Sequence, residues 1–152
     1  MVARDGDGWL LCDCGNKHWG LNGAAGILLV RGQQILLQHR APWVHNGDTW
    51  GIPGGARDSH ESVLEGAIRE AVEETGVDPQ LIQALHTFSD DHGNWRYDTV
   101  IARAGQDLIA HEVNDESHEV RWVDIDSVSD LNLHPSFAKT WPELKALIQT
   151  LQ

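Results

Sequence analysis

The chain has 152 residues, with 23 acidic and 11 basic side chains and a formal net charge of −12. A chain of this length suits one domain, which buries about 68–70% of the surface that its unfolded form exposes. The acidic excess argues against a protein that binds a nucleic acid polymer, because gripping that backbone needs clustered Lys and Arg. The composition is compatible with a monomer and with a homodimer.

The first 20 residues lack the basic segment and apolar run that mark a signal peptide. The longest apolar run, Ala24 to Val30, is far too short to span a bilayer. Two cysteines in a chain of this length do not make a disulfide framework. We therefore expect a cytoplasmic protein without a membrane contact.

Residues 1–20 are predicted to be an N-terminal extension, and residues 21–152 to be the main domain. The extension contains Cys12, Cys14 and His18, which could offer three zinc ligands. A structural zinc site normally has four ligands, and no second zinc knuckle follows downstream. We therefore expect a β-hairpin here, with a turn at Gly15-Asn16, and not a Zn²⁺ site.

Two strands are predicted next, Ala24–Val30 and Ile35–His39, joined at Arg31-Gly32. The following loop contains Pro, Gly, His and Trp residues and has the composition of a recognition loop. Within it, Arg40 could contact phosphate and Trp43 could stack on a base. The alternatives are a surface arginine and a tryptophan that covers the edge of the core.

A helix is predicted within the stretch Gly55 to Val77. Glu70, Glu73 and Glu74 stand on one face, because positions i, i+3 and i+4 are surface neighbours on a helix. An apolar stripe is expected on the opposite face, formed by Leu64, Ile68, Ala71, Val72 and Thr75. Three adjacent carboxylates repel one another, so we expect a cation beside them, and hard divalent cations prefer such oxygen ligands.

The two ends of this helix carry recognisable signals. Ser59 is expected to cap the N-terminus, with Asp58 as the competing candidate. Gly76, followed by Asp78-Pro79, is expected to end the helix. Glu65 and Arg69 have the favourable i, i+4 order for an ion pair.

The same stretch resembles the signature of the Nudix hydrolases, G-x5-E-x7-R-E-U-x-E-E-x-G-U, in which U is aliphatic. The fixed positions are filled by Gly55, Glu61, Arg69, Glu70, Glu73, Glu74 and Gly76, with Ala71 and Val77 at the U sites. This many identities at fixed spacing are far more specific than a lone glycine motif. The alternative is an acidic solvated helix that matches by accident.

The resemblance implies roles for individual residues. Glu70, Glu73, Glu74 and the carbonyl of Gly54 would hold Mg²⁺, or Mn²⁺ in its place, and Glu73 or Glu70 would act in catalysis. Gly55, Glu61, Arg69 and Gly76 would have structural roles, with Glu61 paired to Arg69. Some Nudix enzymes take an additional acid from the segment before a later strand, and here Glu119 or Glu116 resembles it.

Three further strands are predicted at Leu81–Phe88, Trp95–Ala104 and Val120–Val123. Trp95 could face the substrate, although packing is the more common fate of such a ring. A last amphipathic helix is predicted from Ser136 to Leu151. Its apolar residues recur at helical spacing: Phe137, Trp141, Leu144, Ile148 and Leu151.

The resemblance implies an α/β fold, the Nudix α/β/α sandwich with a mixed β-sheet. It also implies Mg²⁺-dependent hydrolysis of a diphosphate bond in a small nucleotide, such as a nucleoside triphosphate or a nucleotide sugar. The alternative is a catalytically silent Nudix module that only binds nucleotides. Some members that act on oxidised purine nucleotides read the base with an Asn near the last helix, and residues 135–138 contain none.

Overall fold

The structure is a computed structural model that describes residues 4–113 and 117–151. Its strands are β1 (Trp9–Leu11), β2 (Lys17–Trp19), β3 (Ala24–Arg31), β4 (Gln34–Arg40), β5 (Trp50–Gly51), β6 (Gly54–Ala56), β7 (Ile82–Asp91), β8 (Arg96–Ala104) and β9 (Ser117–Asp124). Its α-helices are α1 (Val63–Thr75) and α2 (Pro135–Leu151). Short 3-10 helices cover Pro79–Leu81 and Ile125–Asp130.

Strands β3 to β9 form one mixed sheet, in which β3 is central. Strand β3 runs parallel to β8 and antiparallel to β4 and β6. On the outer sides, β4 pairs with β5 and β9, and β8 pairs with β7. Every residue of β3 except Arg31 is buried, as its continuous apolar sequence predicts.

One helix covers each face of this sheet, which confirms the predicted sandwich. Ala67 and Ala71 of α1 pack with Ile27 of β3 on one face. On the other face, α2 packs against residues of β3, β4 and β9. The buried residues of α2 are Phe137, Trp141, Leu144 and Ile148, which confirms the predicted helical spacing. The helix continues through Pro142.

The predicted apolar face of α1 was partly wrong. Leu64 and Val72 are exposed, whereas Glu74 is buried together with the small residues Gly66 and Ala67. A Cβ atom on Gly66 would lie only 3.3 Å from Arg57 Cγ. The helix therefore packs closely through its smallest residues, and a side chain at Gly66 would have to displace Arg57.

The predicted N-cap was also wrong. Ser62, and not Ser59 or Asp58, caps α1, because its side chain accepts a hydrogen bond from the Glu65 backbone N–H at 3.1 Å. The Glu65 carboxylate in turn accepts from the Ser62 backbone N–H, which completes a capping box. Glu65 is therefore not the partner of Arg69. The C-terminus ends at Gly76 in the left-handed conformation, as predicted.

Strands β1 and β2 form a separate antiparallel hairpin, with Trp9 opposite Trp19. Its inner side contacts a small cluster of buried residues, Cys12, Ala24 and Trp95. None of the helices within the described residues combines the length and the apolar composition needed to cross a lipid bilayer.

Candidate active site

The site is built where strand β6 passes between β3 and α1. Gly54 lies opposite Gly26 in the β3–β6 pairing, and the Tyr97 hydroxyl lies where a Cβ atom on either glycine would be. The Tyr97 hydroxyl is buried with Glu74 and Glu70 nearby, and this burial raises the pKa of its phenol. The glycines thus allow the β6 backbone to approach its neighbours more closely than a side chain would permit.

Arg69 joins helix α1 to the loop that precedes it. Its guanidinium forms a two-point ion pair with Glu61, with Nε–Oε2 at 2.6 Å and Nη2–Oε1 at 2.9 Å. It also donates to the Ala56 carbonyl oxygen at 3.0 Å. The hydrogen bond from Arg69 lowers the pKa of Glu61, despite the burial of that carboxylate. This geometry supports the structural role expected for the pair.

Glu70 lies directly against the backbone of Gly55. A Cβ atom on Gly55 would be 2.6 Å from Glu70 Oε1, so only glycine leaves room for the carboxylate. Burial raises the pKa of Glu70 to about 7, and the negative charge of Glu73 adds to this effect. Arg69 opposes the shift through its contact with Oε1 at 3.0 Å. The charge of Glu70 is therefore only partly compensated by the protein.

Glu74 is buried and reaches the same backbone segment from the next turn of the helix. Its Oε2 accepts a hydrogen bond from the Gly54 N–H at 2.9 Å, and Gln38 Nε2 lies 3.4 Å from the same oxygen. Glu70 and Glu74 therefore both contact the Gly54-Gly55 segment. Gln38 was not predicted to belong to the site. Its signal in the sequence is that it is a polar residue directly after the apolar run of β4.

Glu73 has a different environment, because its side chain is 42% exposed. It forms ion pairs with Arg4 Nη2 at 2.6 Å and with Arg69 Nη1 at 3.3 Å. Among the described residues, the three glutamates do not gather their ligand atoms into one cluster. Arg4 was not predicted to contact this site, and no pattern in residues 1–20 indicates it.

These residues fit a hard divalent cation. They offer carboxylate oxygens, which Mg²⁺ prefers, beside a backbone segment that carries no side chains. Burial raises the pKa of Glu70, and Arg69 only partly offsets this effect. A bound cation would stabilise the charged form of this carboxylate. Arg4 and Arg69 form ion pairs with Glu73. They balance the negative charge that a metal cation would otherwise balance.

The NUDIX domain family matches residues 20–144, which is most of the chain. The chain belongs to the Nudix hydrolase family. It is 44% identical to "Putative 8-oxo-dGTP diphosphatase 3" of Mycobacterium tuberculosis, over 99% of this chain and 74% of that protein. It is 43% identical to a nucleoside triphosphate pyrophosphatase/Nudix hydrolase fusion protein of Bifidobacterium longum, over 99% of this chain but only 33% of that protein.

A solved structure shows the same fold. The Nudix hydrolase RenU from M. smegmatis is 42% identical, with a TM-score of 0.88 over 97% of this chain and 98% of that one. The fold shared with RenU and the match to the NUDIX domain family confirm the Nudix resemblance. As a class, Nudix hydrolases act on small nucleotides and use divalent metals.

The residues predicted to bind substrate are in different environments. Arg40 Nε donates to the His45 carbonyl oxygen at 3.0 Å, within a loop where Asn46 and Asp48 adopt positive φ. Its positive charge is close enough to contribute to lowering the pKa of His134, which burial lowers most. Trp43 is 69% exposed.

Trp95 is buried and does not line an open surface. Its ring stacks on His18 of the hairpin, with centroids 4.0 Å apart and an interplanar angle of 10°. The hairpin would have to move before this ring could stack on a base. The geometry matches the packing alternative given above for Trp95.

Glu119, one candidate for the additional acid, lies on the other side of the sheet from Glu74. Glu119 forms an ion pair with Arg121 at 2.8 Å. It is paired with His39, whereas Glu74 is bonded to Gln38, the preceding residue of β4. Successive residues of a strand point to opposite faces, so Glu119 and Glu74 lie on opposite faces of the sheet. Glu116 lies outside the described residues.

Proposed function

We propose that this Nudix hydrolase catalyses Mg²⁺-dependent hydrolysis of the diphosphate bond in a nucleoside triphosphate. The observation that carries the proposal is the pair of carboxylates, Glu70 and Glu74, that contacts the Gly54-Gly55 backbone. Together with Glu73 they offer oxygen ligands for the metal. Mg²⁺, when bound, would clamp the diphosphate and lower the pKa of a bound water.

The two catalytic candidates differ in their surroundings. Glu73 is engaged in ion pairs with Arg4 and Arg69. Burial raises the pKa of Glu70 to about 7 in the metal-free chain, and Mg²⁺ bound beside it would lower that pKa again. We infer that one of these two carboxylates takes the proton from the attacking water. The water oxygen forms a bond to phosphorus as the P–O anhydride bond breaks, and the leaving phosphate takes the electron pair.

The substrate class is supported by the relatives. The mycobacterial relative is named for 8-oxo-dGTP, and the fusion protein for nucleoside triphosphates. We therefore propose 8-oxo-dGTP as the first compound to test. Residues 135–138 at the start of α2 contain no Asn, but Asn46 contacts Nε2 of His134, which directly precedes that helix, at 3.2 Å. Asn46 is thus the polar group that could take over contact with the base.

The loop residues complete the proposed assignment. Arg40, whose charge lies near the half-buried His134, would contact phosphate through its planar guanidinium. Trp43, with its exposed ring, would stack on the base. Neither residue is needed to hold the metal, so replacing them should raise KM more than it lowers kcat.

The test separates by chromatography the nucleotides that are released from 8-oxo-dGTP, dGTP, a nucleotide sugar and a dinucleotide, each with Mg²⁺ or Mn²⁺. Glu74→Gln and Glu73→Gln should each lower kcat by a factor of about a hundred or more, because each removes a charged oxygen ligand. The matched control is Glu143→Gln, which changes an exposed glutamate on α2 and should leave kcat unchanged. Circular dichroism checks that each variant is folded.

The alternative is a Nudix-fold module that binds nucleotides without turnover. It predicts no product from any compound with either metal, together with measurable nucleotide binding by calorimetry. The same outcome would overturn the proposed hydrolase. Unchanged kcat in both glutamine variants of an active enzyme would instead overturn the assignment of the glutamates.

A further inference from the structure

A second group of metal-ligand atoms lies at the N-terminal hairpin. Cys12, Cys14, His18 and His92 place one ligand atom each within 4.8 Å of one another. The sequence separates Cys12 from His92 by 80 residues, but the thiol of Cys12 donates to the His92 carbonyl oxygen at 3.3 Å. His18 Nε2 lies 3.1 Å from Cys14 Sγ. The fold therefore adds a fourth donor to the three that the sequence alone offers.

We propose that Cys12, Cys14, His18 and His92 bind a Zn²⁺ ion that joins the N-terminal hairpin to the β7–β8 turn. Two sulfur and two nitrogen donors are a typical ligand set of structural zinc sites. With Zn–S near 2.3 Å and Zn–N near 2.0–2.1 Å, tetrahedral ligands stand about 3.4–3.8 Å apart. The observed ligand atoms, which lie within 4.8 Å of one another, would have to close by about 1 Å at most to reach this geometry.

The hydrogen bonds around the proposed ligands are of the kinds found at structural zinc sites. His92 Nε2 lies 3.0 Å from Asp90 Oδ2, so we assign Nδ1 of His92 as its ligand atom. A carboxylate that holds the other ring nitrogen fixes the orientation of a metal-binding histidine. The Cys14 backbone N–H points at Cys12 Sγ at 3.4 Å, and such donors stabilise a thiolate.

The surroundings explain why this position would need a metal. An isolated two-stranded hairpin is marginally stable in water, and β1 and β2 have three residues each. The turn is attached through Asn94, which donates to the Leu11 carbonyl oxygen at 3.1 Å and accepts from the Asp13 N–H at 2.8 Å. A metal bound to both segments would add a cross-link to these two exposed hydrogen bonds and to the contact between Cys12 and His92.

The ligand chemistry separates this site from the glutamate site. Thiolate and imidazole donors select Zn²⁺, whereas the carboxylates of α1 select Mg²⁺ or Mn²⁺. Cys12 is buried and Cys14 is exposed, so the metal would lie at the edge of the small buried cluster. The alternative use of the same two thiols is oxidation to a disulfide, which would leave no metal bound.

The first test measures zinc by inductively coupled plasma mass spectrometry, on the full chain purified without chelator and again after incubation with Zn²⁺ and gel filtration. We expect one zinc per chain, and less than about a tenth in Cys14→Ser and His92→Asn. His86→Asn, which changes an exposed histidine of β7, should keep its zinc. Glu74→Gln should also keep it, because its carboxylate belongs to the other site.

Less than about a tenth of an equivalent in the wild-type chain after both treatments would overturn the proposal. Zinc that is lost from Glu74→Gln but kept in Cys14→Ser would overturn it as well, since the metal would then be at the glutamates. Titration of free thiols tests for a disulfide between Cys12 and Cys14. If two thiols appear only after reduction, the cysteines are oxidised, and this result would also count against a zinc site.

The second test replaces Zn²⁺ with Co²⁺ and records the visible and near-ultraviolet spectrum. Tetrahedral Co²⁺ with thiolate ligands gives intense visible bands and a sulfur-to-metal charge-transfer band, which oxygen ligands do not give. We expect both features in the wild-type chain and in His86→Asn, and their loss in Cys14→Ser. Their absence from the wild-type chain, or their persistence in Cys14→Ser, would contradict the assignment of these ligands.

Discussion

Glu70 is a single residue whose environment makes the stability of the fold depend on pH. Its pKa is raised from the ordinary value of 4.5 to about 7, mainly by burial. Between these two pH values the folded chain binds a proton more tightly than the unfolded chain does. The free energy of unfolding should therefore fall as the pH rises from 4.5 to 7, by up to about 3 kcal/mol, since one pKa unit corresponds to about 1.4 kcal/mol.

This prediction is checked by urea denaturation at a series of pH values in magnesium-free buffer. Glu70→Gln should lose this decline, whereas Glu143→Gln should keep it. A flat free energy of unfolding between pH 4.5 and 7 in the wild-type chain would show that the carboxylate is not confined as described. Added Mg²⁺ should reduce the decline, because a bound cation favours the charged carboxylate.

Arg69 is the residue with the most consequential ion pair. Arg69→Ala would leave the buried Glu61 without its two-point partner and should destabilise the fold by about 3 kcal/mol. Because Arg69 lowers the pKa of Glu61, its stabilising effect is present above the ordinary pKa of glutamate and is lost at more acidic pH. The matched control is Arg121→Ala, which breaks an exposed pair and should cost less than about 1 kcal/mol.

Thermal and urea denaturation of both variants provide the measurement. A cost for Arg69→Ala no larger than that for Arg121→Ala would show that burial does not strengthen the pair. Arg69→Lys should recover little of the lost stability, because an ammonium group cannot reproduce the fork of a guanidinium.

Helix α1 shows which features of an element follow from sequence. Its presence, its three glutamates and its end at Gly76 were predictable, because each depends on local spacing or on one residue type. The buried face was not, because it depends on which residues of α1 meet the sheet, and these include Gly66, Ala67 and Ala71. The cap was ambiguous since Asp58, Ser59 and Ser62 are all good N-cap residues within a few positions.

The capping box of α1 gives a prediction at the scale of the element. Ser62→Ala removes the acceptor for the Glu65 N–H and should lower the free energy of unfolding by about 1 kcal/mol. Ser62→Asp keeps an acceptor at this position and should stay within a few tenths of a kcal/mol of the wild-type chain. Urea denaturation compares the two, and equal stability of both variants would argue against the cap.

At the scale of the whole molecule, the features that could not be predicted from the sequence are contacts between distant segments. The main strands followed from sequence patterns, but the approach of His92 to Cys12 depends on how the β7–β8 turn meets the hairpin. The contact of Arg4 with Glu73 likewise depends on the path of the N-terminal segment. Both contacts form only when the chain has folded, and no local sequence pattern in the contacting segments predicts them.

The attachment of that N-terminal segment can be tested at Asp58. Its buried carboxylate accepts from the Gly6 N–H at 3.2 Å and pairs with Arg4 at 3.3 Å. Asp58→Ala leaves the buried Gly6 N–H without this acceptor and should cost about 1–3 kcal/mol. Asp130→Ala, at an exposed position, should cost less than about 0.5 kcal/mol. Hydrogen exchange by mass spectrometry should show faster exchange at residues 4–8 in Asp58→Ala alone, and unchanged exchange there would mean that other contacts hold the segment.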